Sequence, residues 1–299
     1  MARAAGVAAV SPRMEPGARP AGLAQAAIVL VLLAAVYHRT AAELWRTWTT
    51  NDNYSHGPLI PVVALALVWS RRARLAAAPP GRDARGLLLV ALACVLQIAG
   101  VRGDVFALQG WSLVVMLCGL SLALLGSPVT RLLAFPILYL AFMLTFPPFV
   151  MNQLSYALKE VTVRLSTRAA ELLGVAIQRS GMTLYLARGV LEIENPCSGL
   201  RSLLAMLAAG TLFAYLQPGG WVRRGTLVLL AVPIAMAANA LRITLLILVA
   251  HYASVKRAVG TFHDVTGYLT FALALAALLA ARAALRPRGA APRRTESPA

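Results

Sequence analysis

The chain has 299 residues, of which 59% are hydrophobic and only 13% charged, and its mean hydropathy is +0.72. A soluble domain carries roughly 45–50% apolar and about 25% charged residues, so this composition excludes an ordinary soluble enzyme and a disordered chain and points to a bilayer. The net charge of +17 is almost all arginine scattered between apolar runs, a distribution that sets membrane orientation rather than gripping nucleic-acid phosphates.

A membrane-crossing helix needs about 20 mostly apolar residues. Eight stretches qualify: 21–37, 57–70, 86–101, 105–126, 132–151, 199–217, 225–251 and 264–285. The fold class expected is therefore an all-α polytopic membrane protein of about eight transmembrane helices. The third and fourth are joined only by Arg102-Gly103-Asp104, which predicts a tight helical hairpin. The first follows a basic region, but no small-x-small site ends it before Tyr37-His38-Arg39, so a retained anchor is expected rather than a cleaved signal peptide. With the N-terminus inside, the inner segments hold sixteen cations and three acids, against ten and eight outside. Both termini are accordingly expected in the cytoplasm. The organisation expected is a tail over 1–20, a five-helix bundle over 21–151, an outer segment over 152–198, three further helices over 199–285 and a basic tail over 286–299.

The outer segment is longer than a connector requires, and loops of this length in a compact protein are functional or disordered. Its first part, from Leu154 to Leu173, has apolar residues at helical spacing with charges between them, which predicts an interfacial amphipathic helix. The alternation on either side of Ala187-Arg188-Gly189 predicts a short β-hairpin.

The hairpin leads into Glu194-Asn195-Pro196-Cys197-Ser198-Gly199-Leu200-Arg201. Asn195 as N-cap and Pro196 as first helical residue would put Cys197 in a first helical turn, where the helix dipole favours a thiolate. Arg201, four residues on, would add positive charge. Cys94 and Cys118 lie in mid-helix and read as packing residues; three cysteines in no metal spacing argue against a disulfide framework or a metal cluster. The seventh stretch contains Asn239 and Arg242 on one helical face. A cation at that depth costs about 2.5–3.5 kcal/mol on insertion scales, which predicts a polar partner or cavity. His263 opens the eighth stretch, with a side chain suited to proton transfer near neutral pH. Cys197, Arg242 and His263 come from three consecutive helices and are expected at the outer leaflet together, where a thiol, a base and a fixed cation suit acyl transfer. His38 and His251 lie near helix ends and read as interfacial.

Cys-Ser-Gly-Leu-Arg at 197–201, Asn-Ala-Leu-Arg at 239–242 and Phe262-His263 with Gly267 resemble the three signatures of the exosortase/archaeosortase family. Tyr54-Ser55-His56-Gly57-Pro58-Leu59 followed by Trp69 is similar to that family's early motif, so the resemblance spans about residues 40–285. It implies a membrane-embedded cysteine transpeptidase or protease, with Cys197 as nucleophile, Arg242 as the active-site arginine and His263 as the third catalytic member. His263 places the resemblance with the bacterial branch. Arg201, Asn239, Ser198 and Gly199 would support these residues, and Glu194, Asn195 and His56 would contact substrate, His56 shaping the site rather than acting in catalysis. The long outer segment, with Glu192 and Glu194, would wall the substrate groove. The resemblance implies partners that are exported proteins ending in a Pro-Glu-Pro-like motif, a membrane helix and a basic tail, cleaved at the outer face of the bacterial inner membrane.

No metal, cofactor or nucleic-acid partner is expected. A transporter with Asn239, Arg242 and Arg201 lining an anion path is the main alternative, but it leaves Cys197 and His263 without a role. Gly-x-Ser-Gly and His-Glu-x-x-His, the marks of other intramembrane proteases, are absent.

Overall fold

The structure, a computed structural model, describes residues 20–193 and 199–286. The chain divides into two compact units, residues 1–42 and 43–299. In the first, every described residue belongs to helix α1 (Pro20–Thr50), and His38 Nδ1 lies 2.9 Å from the Ala35 carbonyl oxygen of its own helix. The second unit carries the remaining elements: α2 (Leu59–Ser70), α3 (Arg72–Ala77), α4 (Arg85–Arg102), α5 (Phe106–Tyr139), α6 (Pro148–Leu172), strands β1 (Gln178–Ser180), β2 (Thr183–Leu186) and β3 (Gly189–Glu192), then α7 (Leu200–Leu216), α8 (Trp221–Tyr252), α9 (Val255–Val259) and α10 (Thr261–Ala284).

Helices α4 and α5 form the hairpin expected from their three-residue link. Their backbones touch: a Cβ added at Gly86 would stand 2.3 Å from the Ala123 nitrogen. Small residues at such a crossing let membrane helices gain dispersion contacts that lipid cannot supply. Across the same interface, Ser112 Oγ donates to Gln97 Oε1 at 2.8 Å. Helix α5 breaks at Gly126, whose φ of 79° and ψ of 172° are open only to glycine. The chain doubles back there, so that Ser121 and Thr130 hydroxyls meet at 3.0 Å.

Among the described residues, five helical runs are long and apolar enough to cross a membrane: Ala24–Thr50, Arg85–Arg102, Phe106–Met143, Trp221–Tyr252 and Val265–Ala284. Only 17–33% of each apolar window is buried inside the protein, so most of that surface needs lipid against it. The chain is thus a helical multi-pass membrane protein; these five candidates do not by themselves give the eight spans expected, and one of them, Phe106–Met143, is two arms that fold back at Gly126. The stretch 57–70 is a helix of only 12 residues and 199–217 one of 17. The stretch 132–151 is broken: the arm after Gly126 ends in a 3₁₀ turn at Leu140–Met143, Leu144 is extended, and a new helix starts at Pro148. Consecutive prolines explain the break, since Pro147 disfavours a helical residue before it and Pro148 suits a first helical position.

The outer segment is ordered as α6 and a three-stranded antiparallel sheet in the order β1-β2-β3. The expected hairpin is β2–β3, with Leu186 opposite Gly189; β1, paired through Ser180 and Thr183, was not foreseen. Arg179 ties β1 to α6 through Glu160 at 2.6 Å, and Arg164 approaches the same carboxylate at 2.7 Å. The two guanidiniums, Arg179 foremost, hold the Glu160 carboxyl below its ordinary range. One core joins the sheet, α6 and α9 to the second half of α8 through Leu184, Leu191, Val163, Ile243, Ile247 and Ala258. A second joins α7, the first half of α8 and α10 through Leu203, Met206, Leu227, Ala231 and Leu278.

Replacing Gly86 by alanine forces α4 off α5 and is expected to destabilise the detergent-solubilised protein by about 2 kcal/mol. Gly225→Ala, where a Cβ meets nothing within 4 Å, should leave the thermal midpoint unchanged or slightly raised.

Candidate active site

Helix α8 carries the polar stripe of the bundle. Arg242 directly precedes the buried run Ile243, Leu246, Ile247 and Ala250 under the sheet, while Ala231 and Ala235 belong to the α7–α8–α10 core. The arginine therefore sits where the two cores meet, and it turns to α10. Its Nη2 lies 3.0 Å from Nε2 and 3.3 Å from Nδ1 of His263, and donates to the His263 carbonyl oxygen at 3.2 Å. Near-equal distances to both ring nitrogens put the guanidinium across the Nδ1–Cε1–Nε2 side of the imidazole rather than in line with one lone pair. Arginine only donates, so a neutral His263 offers it one accepting ring nitrogen while the other carries the proton.

One turn further along α10, the absence of a side chain makes room for the cation. A Cβ at Gly267 would stand 3.2 Å from both Cζ and Nη2 of Arg242. The threonines around this seat satisfy their own hydroxyls within the helix: Thr266 donates to the Phe262 carbonyl at 2.7 Å and Thr270 to that of Thr266 at 2.7 Å.

Asn239, one turn back on α8 and 4% exposed, packs on the start of α7. Gly199 caps that helix with a φ of 77°, and a Cβ there would stand 2.6 Å from Asn239 Nδ2. Its carbonyl accepts the first bond of the helix, from Leu203 N at 2.9 Å. The described helix thus starts at Leu200, behind a left-handed Gly199. Glu194, Asn195, Pro196, Cys197 and Ser198 lie outside the described residues.

Arg201 and His56 gather elsewhere. Arg201 Nη1 approaches Asp52 Oδ1 at 3.9 Å with both side chains well exposed, a pair that contributes little stability. Asp52 was not singled out from sequence, although an acid four residues before His56 was there to be read. His56 Nε2 donates to the Phe142 carbonyl at 3.1 Å. Burial holds its imidazole below the ordinary histidine range; the bond to Phe142 opposes this and the nearby Arg201 charge adds to it.

A cleft of about 900 Å3 opens beside these elements. Its walls are Asn53 and Tyr54 of the 3₁₀ turn, Asp104 and Val105 with the first residues of α5, the linker from Thr145 to Pro147, and the α6 residues Pro148, Phe149, Met151, Asn152, Ser155, Tyr156 and Lys159. Leu200, next to Gly199, also lines it. The hairpin and Glu192, expected with Glu194 in the wall of a substrate groove, do not line this cleft, and Glu194 lies outside the described residues. Instead the sheet buries Leu184 and Leu191 against α8, and Arg188 ties its turn to the Tyr252 carbonyl at 2.7 Å. Among the described residues of the outer segment, those of α6 face the cleft, while the sheet's apolar face is satisfied by α8 and α9. Among the described residues no three His, Cys, Asp or Glu side chains are grouped to hold a metal.

His56 supplies a pH signature. Its folded pKa is below the unfolded value of 6.5, so its contribution is full above that value and is lost as pH falls toward the lowered one. Unfolding stability is expected to drop more between pH 7.5 and 5.5 in the wild type than in His56→Gln, read from thermal midpoints in detergent.

The family model for transmembrane exosortases matches residues 48–280, a range that takes in Trp48, His56, Gly199, Asn239, Arg242, His263 and Gly267. No curated protein and no solved structure matches the chain. The chain belongs to the transmembrane exosortase family, membrane-embedded enzymes of the sorting transpeptidase and protease class.

Proposed function

We propose that the protein is a cysteine transpeptidase or protease that cleaves a C-terminal sorting signal, a Pro-Glu-Pro-like motif followed by a membrane helix and a basic tail, from exported proteins. The observation that carries this reading is the seat of Arg242 against His263 and Gly267, on helices packed with α7, which begins three residues after Cys197. The substrate's own helix lies in the bilayer beside the bundle, and the segment preceding it enters the cleft. Anchoring in two dimensions then replaces much of the entropic cost of bringing thiol and peptide together.

In the first step the Cys197 thiolate attacks the scissile carbonyl, and the C–N bond breaks as the leaving amine takes a proton from the His263 imidazolium. Arg242 stabilises the charge that develops on the carbonyl oxygen. In the second step neutral His263 takes the proton of water or an acceptor amine, which attacks the thioester and releases Cys197. Asn239 and Gly199 fix α7 on α8 and so hold the chain leading from Cys197 in register with Arg242. The basic residues favour a cytoplasmic position for the opposite end, where Arg71 lies 4.8 Å from the Tyr215 ring and Arg282 5.3 Å from that of Phe213. The active site then opens to the periplasm, and both termini are cytoplasmic.

A tagged substrate of this design, expressed with the protein or its variants at matched levels, tests the reading. Wild type, Cys94→Ala and Cys118→Ala are expected to release the tag, Cys197→Ala to release none, and Arg242→Gln to be slower by about 10²–10³-fold. Normal processing by Cys197→Ala would remove the thiol mechanism and favour transport.

A further inference from the structure

Three side chains from one short stretch converge on one piece of backbone. Trp48 Nε1 donates to the Met143 carbonyl at 2.9 Å, His56 Nε2 to the Phe142 carbonyl at 3.1 Å, and Tyr54 Oη accepts from the Phe146 nitrogen at 3.1 Å. Tyr54 is 5% exposed. The Trp48 indole reaches across Gly57, where a Cβ would stand 2.3 Å from the ring.

The backbone they hold lies between α5 and α6, in the 3₁₀ turn and the irregular residues that follow it. Leu144 is extended, and Pro147 and Pro148 bring no N–H of their own. Buried backbone donors and acceptors outside regular ladders need partners, and here side chains supply them. The same stretch continues as the cleft wall of Thr145, Phe146, Pro147, Pro148 and Phe149, with Trp111 edge-on to Phe146 at 6.2 Å.

We infer that His56, together with Trp48 and Tyr54, is a positioning residue that fixes the 142–149 wall of the cleft and thereby sets affinity for the extended substrate segment received there. The inference rests on the proposed reading of the cleft as the substrate groove. His56 acts through the Phe142 carbonyl: its Nε2–H is committed to that backbone and is not a donor to substrate. It moves no proton in the reaction.

The purified full-length protein is compared as wild type, His56→Ala and His56→Gln, the last keeping an N–H donor on a side chain of similar reach. Two readouts are taken, backbone hydrogen exchange by peptide and the kinetics of processing of the membrane-anchored substrate. His56→Ala is expected to speed exchange over 142–149 by about tenfold with α8 and α10 unchanged, the loss of about one hydrogen bond locally. It is expected to raise KM by about fivefold to tenfold with kcat held within about twofold, and His56→Gln to return both toward wild type. The inference is overturned if exchange and KM stay at wild-type values, if kcat falls at unchanged KM, or if faster exchange spreads through α8 and α10. If the wild type processes nothing, the functional reading fails and exchange alone decides: a local rise reversed by His56→Gln upholds the positioning role, and no rise overturns it.

Discussion

A guanidinium placed within an apolar helix bundle must be met by acceptors, and the arrangement of α8 and α10 follows from meeting it. Arg242 obtains the carbonyl and ring of His263 and the space left by Gly267. Because His263 and Gly267 are four residues apart on α10, one helix face supplies both acceptor and room. The helices on either side inherit this register. Ile243 and Ile247 carry the sheet and α9, Ala231 and Ala235 carry α7, and Asn239 meets Gly199 at the point where α7 begins.

The cleft is built by a different economy of polar groups. Its linker wall belongs to no α-helix or strand, so its backbone is tied by side chains from the segment that precedes α2. The wall is thereby rigid without being regular, a useful property for holding an extended segment. Leu200 joins the two regions, since it lines the cleft and follows the glycine that packs on Asn239.

Much of this was legible in the residues because the signals were local. The spacing of Asn239 and Arg242 gave a polar stripe, the alternation from Thr183 to Glu192 gave the hairpin, and the three-residue link after Arg102 gave the α4–α5 pair. What escaped depended on single backbone states or on long-range partners. The left-handed conformation of Gly199, after which α7 begins at Leu200, is one such backbone state that no spacing encodes. Arg201 turns to Asp52 and His56 to Phe142, contacts made across about 150 and 86 residues that no periodicity encodes. The same holds for 132–151, which hydropathy sees as one apolar run while two prolines divide it.

The central claim is that the seat of Arg242 is set by the missing side chain at Gly267, and a graded substitution there tests it most directly. With the membrane level of each variant matched, Gly267→Ala is expected to lower kcat/KM for substrate processing by roughly tenfold and Gly267→Leu by roughly a hundredfold or more, as the guanidinium is pushed off its position by increasing amounts. Wild-type processing by both variants would contradict the account, because it would mean that the contact between Arg242 and α10 does not position the cation for the reaction.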